Sequence, residues 1–526
     1  MVSECNYRWM AVAVMMVAAG CGSLTDKLQG EKYTGCALRA DFSVSLTYGK
    51  APLTVTFTDK SAGNPTSWQW DFDDDGIVDS TERNPSHTYK EPGWHTVRLT
   101  VSDGARRDTC VKERYVLVAR KIYYVNAKEG SDSNSGESWD KAWATIRKAL
   151  SVAGDYDLVL VADATYKEVN LDIRGKKVCL KGVDHNTAGQ RPVIDCRRSG
   201  RAFWFHNGET GDCILDNFTV RNGYVADGPG GAVLCENNSS PTIRNCVFEN
   251  NEVKDTNNTR EREKGGAISC WNSSPKVSNC IFSGNRAGHY YAGAIYFRNA
   301  GPVLTNCVFR GNSAKYGGAI YLKNSRATIR RCEFRGNLGY YGGAVCCYRC
   351  NMLAVNCLFV ECRATFGGAI FSDCCNWTLT NCTLSGNRAA GDGGAFLCMS
   401  NCGFTLNNCI VWGNKASSRG NEIHIRDPHS SFILNYCCVN RKGYGTESAP
   451  PAAVISDTNH CIWDAPQFAD AKNGNYRLKP TSPCIDAGNN SLLWYGRNSD
   501  LSGRPRIADG NGDGVAVVDI GAYEKQ

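Results

Sequence analysis

The sequence predicts an all-β protein: a small antiparallel sandwich, then a long parallel β-helix closed at its first coil by one helix. Three observations predict this. A phrase recurs as GGAV from Gly230, GGAI from Gly265, AGAI from Ala292, GGAI from Gly317, GGAV from Gly342, GGAI from Gly367 and GGAF from Gly393, then decays into GNEI from Gly420. The second glycines Gly293, Gly318, Gly343, Gly368 and Gly394 are 25, 25, 25 and 26 residues apart, a period that means one structural unit per repeat stacked on its neighbours. Between the glycines lie Val, Ile, Thr, Cys, Asn and aromatic residues, which favour strands and turns over helices. Upstream, residues 39–118 alternate apolar and polar residues in short segments separated by Gly, Pro, Asn and Asp, which reads as a sandwich.

The chain has 526 residues, 42% hydrophobic, with a formal charge of +7. It can bury a large core, and its Lys and Arg are scattered among carboxylates, so nothing demands nucleic acid. Residues 1–21 read as an export signal, in which Arg8 precedes an apolar run that ends in small residues before Cys21. This resembles a bacterial lipoprotein signal, which implies a lipidated Cys21 and a protein held at the outer membrane facing the cell surface; an ordinary cleaved signal implies a secreted one. Residues 22–38 read as a polar tether.

Within 39–118, WDFDDDG from Trp70, NPSHTY from Asn84 and PGWHTVRLTVSD from Pro92 occur in order. Together they resemble the PKD domain, an immunoglobulin-like sandwich that implies display and contact. Asp71, Asp73 and Asp75 alternate before Gly76 like the opening of a Ca²⁺ loop, with Glu82 in the twelfth place, and a charged turn is the preferred reading. Asp509, Asn511 and Asp513 repeat the pattern before Gly514, with the same alternative of a plain turn.

Residues 121–185 form the start of the solenoid, with a helix expected from Trp139 to Leu150 that carries Trp143, Ile146 and Leu150 on one face. A cap covers the apolar cross-section and unpaired strand edges of the first coil. Coils fill 186–445. A period of about 25 residues suits three short strands and three turns per coil, each strand pairing with its copy at ~4.8 Å. Asn245, Asn279, Asn306, Asn356, Asn381 and Asn408 then form a column at a bend, where Asn tolerates the left-handed conformation, broken by Arg331. Asn285, Asn312, Asn337, Asn387 and Asn414 form a second column, broken by Cys362.

The combination of GGAI, NCxF and GN resembles the repeat of polymorphic outer membrane proteins and, more broadly, the right-handed parallel β-helix of the pectin-lyase type. Residues 446–526, with SPCIDAGNN from Ser482 and VDIGAYE from Val518, resemble the segment that closes many exported bacterial β-helix proteins.

Of 28 cysteines, Cys246, Cys280, Cys307, Cys332, Cys357, Cys382 and Cys409 take one place in successive coils. Their parallel Cβ vectors suit buried thiols better than disulfides. Cys346, Cys347, Cys350, Cys374, Cys375, Cys398 and Cys402 form a second cluster that leaves room for bridges, or for zinc at Cys347 and Cys350.

Tyr291, Tyr316, Tyr341 and Phe366 precede the glycine corner in four consecutive coils, with Tyr290 and Tyr340 beside them and Asp392 ending the row. Such a row is either a platform on which sugars or a partner's apolar groups stack, or a column of rings that stabilises the corner. No acidic column appears: Asp373 and Asp392 look isolated, and no Ser/His/Asp spacing stands out. The reading is therefore a surface-anchored binding or adhesion protein for a glycan or protein ligand, without catalysis and without a cofactor beyond Ca²⁺. A polysaccharide lyase or glycoside hydrolase of the same fold is the alternative, and a structural envelope protein the second one.

Overall fold

The computed structural model describes residues 38–256, 264–447, 454–493 and 499–526. Cys21 and most of the charged insertion after Thr256 lie outside them. The first module packs Phe42–Val44, Leu53–Asp59 and Ser86–Tyr89 against a second sheet of Tyr48–Lys50, Ser67–Asp71, Gly93–Ser102 and Arg107–Ala119. Alternation decides the faces: Leu53, Val55 and Phe57 point inward and Thr54 outward. Trp70 is fully buried between the sheets with Phe42, Phe57 and Leu99, and its Nε1 donates to Glu82 O at 2.8 Å. The module is seated on the solenoid. Leu117 and Ala119 join a core with Leu158, Cys179 and Ile214, Trp94 Nε1 donates to Asp212 O at 3.1 Å, and Arg114 pairs with Asp212 at 2.7 Å.

The repeats form three long parallel sheets. Sheet A (Leu171–Asp172 to Tyr444–Thr446) and sheet C (Thr165–Tyr166 to Cys438–Val439) have eleven strands each, and sheet B (Ile122–Val125 to Ile455–Asn459) has thirteen. The period becomes a set of ladders: Ile295, Ile320, Val345 and Ile370 in sheet A, and Phe309, Phe334 and Phe359 in sheet C. The rings of the second ladder stack at 4.8 and 4.7 Å, within 5° of parallel. Identical side chains therefore fill the core at the coil spacing.

A coil has one more strand than the sequence suggested. A short sheet D (Tyr224–Ala226, Glu252–Lys254, Arg286–Tyr291, Ser313–Tyr316; later Arg363–Ala364, Arg388–Ala389, Lys415–Ala416) lies between sheets C and A. Each coil thus turns four corners, and each corner is a left-handed residue: φ is 51° at Asn299, 54° at Asn306, 62° at Gly311 and 69° at Gly317. Each is followed by a buried residue, here Ala300, Cys307, Asn312 and Gly318. A corner interrupts the strand ladder, so the buried residue's N–H needs another acceptor. The side chain of the next coil supplies it: Cys307 N–H donates to Cys332 Sγ at 3.4 Å, Asn285 N–H to Asn312 Oδ1 at 3.0 Å, and Ala300 N–H to Ser325 Oγ at 3.2 Å. At the fourth corner nothing larger than glycine fits, because a Cβ on Gly318 would lie 2.2 Å from Gly343 O.

The two asparagine columns consequently differ in role. The first supplies the left-handed corners, and Arg331 does not break it, since its φ of 48° keeps the turn. The second is a buried amide ladder in which Asn285, Asn312 and Asn337 are fully enclosed and bonded one to the next. Cys362 keeps the inward place there and accepts from Asn337 Nδ2 at 3.9 Å.

The cap helix is shorter than expected. Trp139–Lys141 is a 3-10 turn and the α-helix runs Ile146–Val152. Asp132 Oδ1 accepts both Ala144 and Thr145 N–H at 3.0 Å, which ties that stretch down, and Thr145 then caps the helix. Trp143, Ile146 and Leu150 are buried as the periodicity implied.

After a last coil through Ile455–Asn459, the C-terminal segment does not stop at the end of the stack but folds back along sheet C. Tyr476 covers Leu358 and Val360, and Leu478, Ile485 and Ile520 cover Ile410. It grips the first asparagine column: Asn356 Nδ2 donates to Ser499 O at 2.7 Å, Asn381 Nδ2 to Asp519 O at 3.1 Å and Asn408 Nδ2 to Asn489 O at 3.1 Å. Buried Arg506 donates to Asn356 Oδ1 at 2.7 Å and Gly521 O at 2.6 Å and pairs with Glu524 at 3.2 Å.

Candidate functional site

The row before the glycine corner is a true column. Tyr291 pairs with Tyr316, Tyr316 with Tyr341 and Tyr341 with Phe366, and their centroids are 5.0, 5.1 and 5.5 Å apart with the planes within 24°. Stacked in this way, the rings spend their faces on one another. A second column forms their floor: Tyr296, Tyr321, Cys346 and Phe371, on the outer side of sheet A. Tyr296 and Tyr321 are buried beneath the row. The four rings of the row therefore stabilise the corner and offer mostly edges, the second of the two arrangements that the sequence left open. Burial pushes the Tyr316 and Tyr341 hydroxyls up, so they are neutral hydrogen-bonding groups.

Tyr340 is different. It stands across the row, at 70° to Tyr341 and 72° to Phe366, and is 43% exposed. Tyr290 is half-buried against Tyr291 at 6.0 Å.

Where the row ends, charge begins. Arg426 lies over the Phe366 ring at 4.9 Å and donates to Asp392 Oδ2 at 2.7 Å. Arg419 N–H donates to Asp392 Oδ1 at 3.2 Å, and Glu447 Oε1 lies 3.5 Å from Arg419 and 3.6 Å from Arg426. His424 Nε2 is 3.5 Å from Glu447 and 4.0 Å from Asp392. Asp392 is thus not isolated. Burial opposes its ionisation, but the hydrogen bonds from Arg426 and Ser418 hold its carboxyl below the usual range. Burial also lowers His424, against the pull of Asp392 and Glu447, and keeps it neutral.

Sequence reasoning missed Arg426, His424 and Glu447, because the period lengthens after Gly394 and Glu447 comes from beyond the last repeat. One signal was available: His424 continues the outer column Phe371, Leu397 on sheet A.

The two acidic loops share one bonding pattern. Asp71 Oδ1 accepts Asp74 N–H at 2.6 Å and Oδ2 accepts Gly76 N–H at 2.9 Å; Asp509 does the same for Gly512 at 2.7 Å and Gly514 at 2.9 Å. The leading carboxylate therefore organises the turn. Asp73 is raised by burial and then by Asp75 and Asp79. The residue that converges with Asp71 and Asp73 is Asp79, while Asp75 accepts Ile77 N–H at 2.7 Å. Asn511 Nδ2 donates to Asp513 Oδ2 at 3.1 Å, so that pair is spent within its own loop.

The cysteines of both clusters are free thiols, and Cys437 and Cys461 extend the first column. Burial pushes Cys362 up to about 11. Cys347 and Cys350 face different partners: Cys347 Sγ takes Trp377 Nε1 at 3.3 Å, and Cys350 Sγ donates to Tyr348 O at 3.3 Å.

The fold defines a class, and comparison with known protein families agrees on it. Residues 38–118 match the PKD domain, and residues 178–316 and 266–437 match the right handed beta helix region. The chain thus carries a PKD domain followed by a right-handed parallel β-helix. Among solved structures, the pectate lyase Pel9A is 16% identical, covering 78% of this chain and 97% of its own, with a TM-score of 0.39. A family 28 exopolygalacturonase of Yersinia enterocolitica is 10% identical over 79% of this chain and 97% of its own, with a TM-score of 0.28. A solution structure from Methanosarcina mazei is 28% identical over 22% of this chain and 80% of its own, with a TM-score of 0.14. No curated protein matches.

Proposed function

We propose that this protein binds glycans on the flank where the aromatic column meets the charged cluster, and that it does so without catalysis. The observation that carries this is the junction itself: an exposed ring, Tyr340, beside Phe366, whose own neighbour Arg426 is locked to Asp392. An aromatic ring next to fixed planar hydrogen-bonding groups suits a sugar, whose apolar face stacks while its hydroxyls bond to carboxylate and guanidinium. Acid–base cleavage of a glycosidic bond needs one carboxyl kept protonated. Asp392 is held ionised instead, and Arg426 lies between it and Glu447.

In this reading the lipid at Cys21 anchors the protein at the cell surface, the PKD domain spaces it, and the β-helix displays the flank. Palmitate labelling that survives Cys21→Ser would overturn the anchor. The binding reading is tested on a glycan array with Tyr340→Ala and Tyr316→Ala. Tyr340→Ala should weaken binding at unchanged Tm, and Tyr316→Ala should lower Tm because it removes a ring from the middle of the stack. Release of reducing ends or unsaturated products by the wild type, abolished by Asp392→Asn, would refute the non-catalytic reading.

A further inference from the structure

Beside this junction runs a second column. Arg363, Arg388 and Lys415 are in register on three consecutive strands of sheet D, all exposed, while Ala364 and Ala389 face inward. Gly343, Gly368 and Gly394 pack against the backbone of these three residues, so the column borders the glycine corner. The three cations stand one strand spacing apart, ~4.8 Å along the axis, an arrangement in which like charges repel.

At several other places the solenoid pairs its cations with carboxylates. Arg221 pairs with Asp195 on the preceding strand at 3.0 Å, Arg244 and Lys181 share Asp216 at 3.1 and 3.0 Å, and Arg335 takes Glu333 at 2.7 Å and Glu361 at 3.1 Å. No ion pair among the described residues involves Arg363, Arg388 or Lys415. The column leads to the charged cluster: Phe366 follows Arg363 by three residues, and Asp392 and Arg419 follow Arg388 and Lys415 by four. Lys315 adds a cation over the Tyr316 ring at 5.5 Å.

We infer that the ligand is an acidic polysaccharide lying along the solenoid axis, its anionic groups on Arg363, Arg388 and Lys415 and one sugar ring against Tyr340. This rests on the binding reading above and adds the ligand's charge and direction. Carboxylate and sulfate esters share the chemistry that guanidinium and ammonium groups recognise. A linear polymer is the partner that meets a straight row of cations in turn.

The test uses the full-length protein and three polymers: alginate for carboxylates, chondroitin sulfate for sulfate esters, and uncharged dextran. Wild type should bind at least one acidic polymer, with affinity that falls steeply from low to physiological salt. The triple variant Arg363→Gln, Arg388→Gln, Lys415→Gln should lose at least tenfold in affinity and most of the salt dependence, with Tm and circular dichroism unchanged. Undiminished binding by the triple variant, or salt-independent binding by wild type, overturns the inference. Binding of dextran alone, lost in Tyr340→Ala, sinks the charge assignment and leaves the glycan site standing. Acidic binding that Tyr340→Ala does not weaken sinks the junction and leaves the cation column. A single-stranded DNA oligonucleotide that binds as tightly as the polysaccharides overturns the choice of polymer, and failure of every polymer overturns both proposals.

Discussion

The buried amide ladder makes a quantitative demand on Asn312. Its Oδ1 accepts Asn285 N–H at 3.0 Å and Asn285 Nδ2 at 3.0 Å, and its Nδ2 donates to Asn337 Oδ1 at 2.9 Å and Phe282 O at 3.0 Å. In Asn312→Ala, Asn285 Nδ2 keeps Phe248 O and Asn337 Oδ1 keeps Asn312 N–H. Asn285 N–H loses its acceptor in a fully enclosed place. A stranded buried donor costs about 1–3 kcal/mol and each of the three other lost bonds about 1 kcal/mol, so the expected loss is about 4–6 kcal/mol. The assay is equilibrium urea unfolding, in which the midpoint should fall with the slope unchanged. Amide exchange at Asn285 should accelerate as a local readout. The control is Asn306→Gly, at the exposed corner with φ 54° and one side-chain bond to Asn279 at 2.9 Å, expected within about 1 kcal/mol of wild type because glycine accepts that conformation. The reasoning fails if Asn312→Ala costs less than about 1 kcal/mol or if the two variants cost the same.

Two further predictions use neighbouring features. Gly311→Ala meets only the left-handed backbone, since nothing lies within 4 Å of its added Cβ, whereas Gly318→Ala drives a methyl to 2.2 Å from Gly343 O. The first should cost about 1–2 kcal/mol and the second about 1–3 kcal/mol more in the same unfolding assay; equal costs would contradict the packing argument. Glu422 ends the amide ladder, accepting from Asn414 Nδ2 at 2.6 Å and Gly413 N–H at 2.9 Å, and burial raises its carboxyl to about 8 despite these bonds. A carboxyl raised in the folded state favours folding below its unfolded value of about 4.3, and that contribution is lost as pH rises through about 8. Stability should therefore decline from pH about 5 to about 8 through this group, and Glu422→Gln should flatten the decline; an unchanged pH profile in the variant would exclude Glu422 as its source.

The repeat made the architecture legible because a solenoid converts sequence period directly into spatial columns. Cys307, Phe309 and Ile295 could be assigned to the core from their places in the phrase, and the Asn306 corner from the broken alternation. The corner at Gly311 is in the sequence too, as Gly-Asn, but the Asn column that follows it does not by itself show its role. The reason is that Asn serves two purposes in this chain. At Asn306 its backbone tolerance is used, and at Asn312 its amide.

By itself, the sequence determined the all-β class, the stacked coils, the thiol column and the register of Tyr291 to Phe366, all of which follow from local pattern and a fixed period. Tertiary structure alone decided which ring is free. The stacking that buries the faces of Tyr316 and Tyr341 and leaves Tyr340 exposed depends on the floor of Tyr296 and Tyr321 and on the direction each side chain takes from its corner. It also decided that Asp392, Arg426 and Glu447 meet, and that the last residues lie along sheet C instead of ending the stack. These are contacts between segments whose spacing is not the repeat, and a period carries no information about them.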